Sequence, residues 1–581
     1  MKTWHIFLAL FVNALAIHDF QDLRQPTEII SQNGALNFTF TVDVFRYIGQ
    51  VNYTTRAYYY HGVGSIPGPT WRVKAGDTIT FTLKNALPPG QSTEYEHNTM
   101  HSPDTTNMHT HGLHVNPYED DVFIEVHPEE QHVYTYVLPD NHAPGMHWYH
   151  AHHHGATAFQ VIGGLAGAII VDPVDDSIIP PELSNMDEIV MILQHMKFDS
   201  DPGNGCPNSE NFVNAFRPYS YLEISDEIGD TLDVNPSLAN TSLADFYVVN
   251  GQYQPRIQMR PGEKKVFRLL HAAGTHTLEI EIPGCNIYRI SRDGVYRSEP
   301  TDAVDVIVLI QASRADIIVD CPRPGTFILK STIDPSRDNI VSSNVLRYFQ
   351  DPILTIEVSG DELIMPLPSQ LPPLPSYLSD LQNVSRQDIA GQYRVDFGQL
   401  RGPETCNFGI NGMLFRGPDV YDHIMTLDTI EEWMIKDTGP ESHPFHLHVN
   451  HFQVISTTYQ DDPNQIVFEI GEWRDTLAAR DVTTIRFRTD TFPGVLVLHC
   501  HYLRHEDLGM MQVTYIESSP ETDTGDHGTG SIGQEAEPNR GGIKHSESIE
   551  LHESDINSSG QFKSSTYVFF TTVMIVVLSI I

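Results

Sequence analysis

The chain has 581 residues, with 75 Asp and Glu against 35 Lys and Arg and a formal net charge of -40. At roughly 150 residues per domain this length gives about three to four domains, each able to bury a core. The acidic excess argues against nucleic acid or an anionic membrane surface as a partner and favours cationic or neutral substrates.

Residues 1–16 carry Lys2, then an apolar run at 6–12, then Ala14-Leu15-Ala16, the Ala-x-Ala form of a signal-peptidase site. Secretion is expected, and Asn-x-Ser/Thr sequons at Asn37, Asn52, Asn240, Asn383 and Asn557 agree with it. Residues 19–173 form a first domain with period-two strands: Ile79, Phe81 and Leu83 alternate with Thr78, Thr80, Thr82 and Lys84. Within it lie His109-Thr110-His111 and His150-Ala151-His152. The lead-in at 69–77 recurs at 255–263, with proline and glycine seven apart both times (Pro69 and Gly76, Pro255 and Gly262), which reads as a duplicated β-domain. The second copy covers 181–358.

Residues 359–391 follow, where Pro366, Pro368, Pro372, Pro373 and Pro375 predict an extended linker. A third domain at 392–516 contains the turn Asn411-Gly412, a strand at 432–435, His443-Pro444-Phe445-His446-Leu447-His448 and His499-Cys500-His501. Long helical periodicity is absent, and short strands with Gly/Pro punctuation predict an all-β chain of sandwiches or barrels. Residues 517–566 are a Gly-, Ser- and acid-rich stretch unable to bury enough apolar surface to fold, read as a solvated stalk. The apolar tail 567–581, preceded by Asn557-Ser558-Ser559-Gly560 and a polar spacer, matches a GPI-anchor signal, with a simple tail anchor as the alternative. Either places the body at the extracellular cell surface.

The chemistry concentrates at the His-Cys-His triplet. Along an extended strand Cys500 points one way while His499 and His501 point the other, so one strand can serve two metal sites. Cys500, His505, Met510 and a histidine from elsewhere, His443, are the ligand types of a blue-copper centre, a trigonal His2Cys set with a weak axial Met. The four His-x-His pairs each put two imidazoles on one strand face, and eight neutral imidazoles suit a small cluster of copper ions. Of the five cysteines Cys500 is then claimed by metal; Cys285 with Cys321 is the expected disulfide, leaving Cys206 with Cys406, although sequence leaves the other pairings open.

Together MHTHG, WYHAH, HPFHLH and HCHYLRHEDLGMM, in this order, resemble the four copper-binding motifs of the multicopper oxidases, the laccase-like group, over nearly all of residues 30–516. The resemblance implies three consecutive cupredoxin-like Greek-key domains, with a mononuclear copper in the third and a three-copper cluster between first and third. By position His443, Cys500, His505 and Met510 resemble the type 1 ligands, and His109 and His446 the type 2 pair. His111, His150, His152, His448, His499 and His501 resemble the ligands of the type 3 pair. His114, His142, His147, His153, His154 and His451 fall outside the family's ligand positions and are expected at the surface or behind the ligands; Met511 is expected in the core.

The implied reaction takes single electrons from a substrate at the type 1 site and passes them through Cys500 to His499 and His501, where O2 receives four and becomes water. Four protons are consumed, so acids are expected at the cluster. Asp120, with Asp121 as the near alternative, and Glu506 resemble the family's relay carboxylates. An axial Met510 in place of Leu or Phe implies a lower potential than in the most strongly oxidising members. A phenol or aromatic amine is the first expectation for the substrate. Fe(II) or Cu(I) is the alternative, which the acidic surface and Glu441 near His443 would assist, although no Met-rich insert favours Cu(I). A non-catalytic, surface-anchored copper binder is the reading from another class, and its relatives typically lack the ligands that are complete here.

Overall fold

The structure is a computed structural model that describes residues 21–48, 53–89, 97–197, 245–338, 347–401, 406–437, 442–459, 462, 465–479 and 481–518. The signal segment, most of the stalk and the apolar tail, together with Cys206, Glu441, Asn52, Asn240 and Asn557, lie outside them. Among the described residues no helix is long and apolar enough to cross a membrane.

Six sheets form three two-sheet units, in keeping with the all-β expectation. In the first unit one sheet contains Ala35–Tyr47, Tyr53–Tyr60, Val63–Ser65, Thr78–Asn85 and Gln131–Val137. Its facing sheet runs in the order Glu28–Ile30, Thr70–Lys74, Ala166–Asp172, Gly145–His150, His109–His111. The alternation read at residues 78–84 is borne out: Ile79, Phe81 and Leu83 are buried against Phe40, Trp71 and Tyr149, while the threonines between them face outward.

The same pairing recurs three times, not twice. Each unit has an equivalent parallel pair in either sheet, the first unit adding Glu28–Ile30 parallel to Thr70–Lys74: Ala35–Tyr47 with Thr78–Asn85 corresponds to Asp187–Lys197 with Lys264–His271 and to Gly391–Arg401 with Ile430–Asp437. Thr70–Lys74, Arg256–Met259 and His423–Thr426 are likewise equivalent, each parallel to the last long strand of its unit. The turn leaving these strands needs a left-handed residue, supplied by Gly76 (φ 83°), Gly262 (φ 74°) and, in the third unit, Asp428 (φ 61°). Asp tolerates that region without being glycine, so the Pro/Gly spacing that flagged two copies is missing from the third.

The histidine-bearing strands lie where units meet. In the third unit the sheet order is His423–Thr426, Met511–Glu517, Gly494–Cys500, Pro444–Leu447, Thr476–Ala478. Gly145–His150 is buried along its whole length because both faces are covered: Tyr149 packs inside the first unit, whereas Met146 and Trp148 pack against Val190 and Ile192 of the second and Leu503 of the third. The predicted linker is a strap pinned to all three units. Leu371 N donates to Ser298 O (2.9 Å), Ala143 N to the Tyr377 hydroxyl (3.2 Å), and Leu381 N to Gln453 Oε1 (2.6 Å). Cys285 and Cys321 form the expected disulfide, and Cys500 is buried and outside any disulfide. Cys206 and the side chain of Cys406, the other expected pair, lie outside the described residues.

Candidate metal centre

The strand Gly494–Cys500 separates its two faces as alternation requires. Cys500 and the cross-strand Phe445 point into the core of the third unit with Met425, Phe397 and Met510. His505 follows on the short helix Leu503–Asp507, and its Nδ1 lies 3.9 Å from Cys500 Sγ. Tyr502 N donates to the same sulfur at 3.3 Å, and the backbone bonds Cys500 N to Met510 O (3.1 Å) and Met510 N to His505 O (2.8 Å) close the loop around it. Phe408 stacks on His505 at 3.6 Å, and the His443 and His505 rings lie 5.2 Å apart. Asp437 holds His443 by both its backbone N (2.9 Å) and its Nδ1 (3.1 Å), leaving Nε2 without a partner. The structure thus brings together the four residues named for the mononuclear site, and adds Asp437, which no metal-ligand spacing pointed to.

On the opposite face His499 and His501 enter the cleft between first and third units, where all eight cluster histidines meet. His109 is paired across strands with His150, and His446 with His499. Rings from different units stack, His111 on His446 at 3.6 Å and His109 on His448 at 3.9 Å. His109, His446 and His448 have nitrogens mutually within 4.8 Å, as do His109, His111 and His150, and His152, His448 and His499.

Five of the eight rings have an anchored side and an inward side. The anchored nitrogens are His109 Nδ1 on Asp120 (2.7 Å), His111 Nε2 on Thr476 Oγ1 (3.0 Å), His150 Nδ1 on Ala151 O (2.9 Å), His446 Nδ1 on Asp475 O (2.9 Å) and His499 Nδ1 on Cys500 O (3.1 Å). The second nitrogens of His109, His111, His150 and His446, Nε2 of His448 and both nitrogens of His501 are buried with no partner, while Nε2 of His152 and His499 face each other at 3.2 Å. Burial pushes the imidazoles of His150 and His499 down to about 3 and those of His109, His111, His152, His446, His448 and His501 well below the usual range, so all eight are neutral and offer lone pairs. Converging unpaired lone pairs in a buried cleft are costly on their own, and a soft-to-borderline cation such as copper fits them.

Three carboxylates border this cleft. Asp120 rather than Asp121 touches His109; it also accepts from Thr110 N (2.9 Å) and Oγ1 (3.1 Å), and burial raises its pKa to about 7. Glu506 is buried 3.5 Å from His152 Nδ1 and accepts from Thr157 Oγ1 (3.1 Å), with burial and then the neighbouring Asp507 pushing its carboxyl well up. Asp475, unflagged by sequence because no histidine neighbours it, lies 3.3 Å from His111 and forms a two-pronged ion pair with Arg314 of the second unit. Of the surplus histidines, His114, His142, His147, His153 and His451 are buried, which leaves them the position behind the ligands rather than the surface, and His154 is partly buried. Met511 is in a core as expected.

Residues 48–176, 226–351 and 380–520 each match the family description of a multicopper oxidase domain. The chain belongs to the multicopper oxidase family. As a multicopper oxidase it is an oxidoreductase that uses O2, and copper is its metal. It is 26% identical over 499 residues to a laccase of Bacillus stratosphericus, covering 77% of this chain and 89% of that one. Its fold is similar to the laccase of Pediococcus acidilactici Pa5930 (TM-score 0.62, 22% identity, 86% of this chain and 94% of that one). It is similar also to a Campylobacter jejuni multicopper oxidase described as a metallo-oxidase (TM-score 0.60, 19% identity, 86% and 98%). These likenesses fit the three cupredoxin-like units implied by the motifs.

Proposed function

We propose that this multicopper oxidase holds four copper ions per chain and couples one-electron oxidation of a phenol or aromatic amine to reduction of O2 to water. His443, Cys500, His505 and Met510 hold the mononuclear ion; His109 and His446, with His111, His150, His152, His448, His499 and His501, hold the other three. The reading is carried by one observation: a single strand buries the Cys500 thiol in one unit's core and turns its two neighbouring imidazoles into a cleft of inward, partnerless nitrogens. Copper bound there would supply the one-electron carrier between substrate and O2 that the protein's own side chains do not provide. The chain's part is to separate the two sites and connect them through the Cys500 backbone, reinforced by the His499 Nδ1 bond to Cys500 O at 3.1 Å. Asp120 and Glu506 hold protons beside the cleft, each within reach of one imidazole.

The domains are read as 19–173, 181–358 and 392–516, joined by the strap at 359–391, with residues 1–16 as a secretion signal and 567–581 as a surface-anchoring tail after the stalk. A metallo-oxidase acting on Fe(II) or Cu(I) is the second reading, favoured by the net charge of -40 and by the likeness to the Campylobacter jejuni metallo-oxidase. Oxygen uptake by copper-loaded protein, with a diphenol and with Fe(II) in parallel, tests both. One O2 consumed per four substrate electrons is expected with the diphenol; uptake with Fe(II) alone selects the second reading, and no uptake with either rejects both.

A further inference from the structure

Arg314 belongs to the second unit, which contributes none of the twelve proposed ligands, yet its side chain ends beside the cluster. It is fully buried at the start of the strand Arg314–Asp320. Its guanidinium reaches Asp475 with both prongs, Nη1 to Oδ1 at 2.8 Å and Nη2 to Oδ2 at 2.5 Å, while Nε donates to Met146 O (3.3 Å) and Nη1 also to Ala312 O (3.2 Å). One side chain therefore touches all three units. The planar fork leaves the carboxylate a single orientation.

That orientation matters because the Asp475 carboxylate sets the His111 imidazole. Thr476 Oγ1 donates to Asp475 Oδ1 (2.9 Å) and so presents its lone pair to His111 Nε2 (3.0 Å), which must carry the proton; His111 Nδ1 is left bare and inward. Independently of the guanidinium, the Asp475 backbone carbonyl accepts from His446 Nδ1 (2.9 Å), which bares Nε2. Gly112, next to His111, explains itself here: a Cβ on it would fall 2.5 Å from Arg314 Nη2 and 2.6 Å from Asp475 Oδ2, so the glycine of MHTHG leaves room for the ion pair. His147 and His451 also converge on Asp475 with unpartnered nitrogens. A further dication there would face the fixed guanidinium, so the carboxylate's use is to orient the His111 imidazole.

We propose that Arg314 is a positioning residue for the oxygen-reducing cluster, acting through the Asp475 carboxylate to fix the tautomer and orientation of His111. The proposal rests on the copper reading above. The test uses copper-loaded full chain with Arg314→Met, Arg314→Lys and Asp475→Asn, alone and combined. Lys retains the charge but lacks the fork, so it stays informative where Met fails to fold. In Arg314→Lys the blue absorption per chain and the anaerobic rate of its bleaching by a diphenol stay at wild-type values. Loss of non-blue copper to a chelator becomes about 10- to 100-fold faster, reoxidation by O2 becomes slower by a similar factor, and the paramagnetic resonance of the non-blue copper changes. Adding Arg314→Met to Asp475→Asn then changes little more, because the route through Asp475 is already broken. Wild-type chelator resistance, resonance and reoxidation in the Arg314 variants would overturn the proposal, as would a lowered melting temperature with all three intact. A wild type that binds no copper would instead sink the copper reading, and this inference with it.

Discussion

Cys500 is the residue on which the rest turns, since its thiolate is the proposed ligand on one face while its backbone carries the two imidazoles of the other. Cys500→Ser keeps a small acceptor for Tyr502 N, now 3.3 Å from the sulfur, so the fold survives. The variant is expected to lack blue absorption and turnover; a coloured, active variant would contradict the assignment. Replacing Met510 by Leu removes the axial thioether and is expected to raise the mononuclear copper's potential in a redox titration of the blue band. Asp120→Asn tests the proton supply. The amide can still accept from Thr110 but cannot deliver a proton, so reoxidation by O2 should slow by about 100-fold while anaerobic bleaching is unchanged. These positions were legible because ligands come in strand-spaced pairs whose chemistry is visible one motif at a time. Asp475 and Arg314 were not, since they are 161 residues apart and meet only when two units pack. Asp437 escaped for a smaller reason: an acid six residues before a histidine has no motif to announce it.

At the level of elements, the short helices show how one unit completes another. The helix Thr157–Ile162 has Ala156 at its N-cap, with no side chain to satisfy its first amides. Asp507, from the helix Leu503–Asp507 of the third unit, does so instead, accepting from Gly155 N (2.7 Å), Thr157 N (3.1 Å) and Ala158 N (2.9 Å). A carboxylate at a helix N-terminus is favourable, and three buried amides depend on this one. Asp507→Ala is expected to cost about 3 kcal/mol in denaturant unfolding of the metal-free protein; a loss below about 0.5 kcal/mol, the size of a neutral surface change, would show that the amides find other partners. Neither helix was foreseen, because five or six residues are too few to establish a 3.6-residue period. The strands were legible wherever one face is wet, as at residues 78–85. The third repeat was hidden because Asp428 occupies the left-handed turn position that glycine marks in the other two copies.

The whole molecule is a strongly acidic chain that buries an unusual number of imidazoles, and this sets its response to pH. Sequence composition showed the charge and the histidine count, but not burial, which arises from three units and a strap closing over residues such as His114 and His271. Burial lowers His114, His142 and His271 to about 4, and His150, His153 and His499 to about 3. An unfolded histidine takes its proton near pH 6.5, so between there and pH 4 the unfolded chain binds protons that the native one refuses. Stability therefore falls as the pH is lowered through this window. Asp120 and Asp507, raised to about 7, and Asp490, raised to about 6, act in the opposite sense, since their native forms take up protons first. Glu506, pushed well up, acts with these carboxyls, but six imidazoles outweigh the four, and the other buried cluster histidines are displaced in the same direction as the six. The net slope is about 1.4 kcal/mol per pH unit for each uncompensated proton. Urea unfolding of metal-free protein should thus show a lower midpoint at pH 5 than at pH 7.5. Copper-loaded protein should lose more over the same interval, because protons then also compete with the metal for the inward nitrogens. A metal-free protein more stable at pH 5 than at pH 7.5 would mean that the carboxyls, rather than the histidines, govern its acid response.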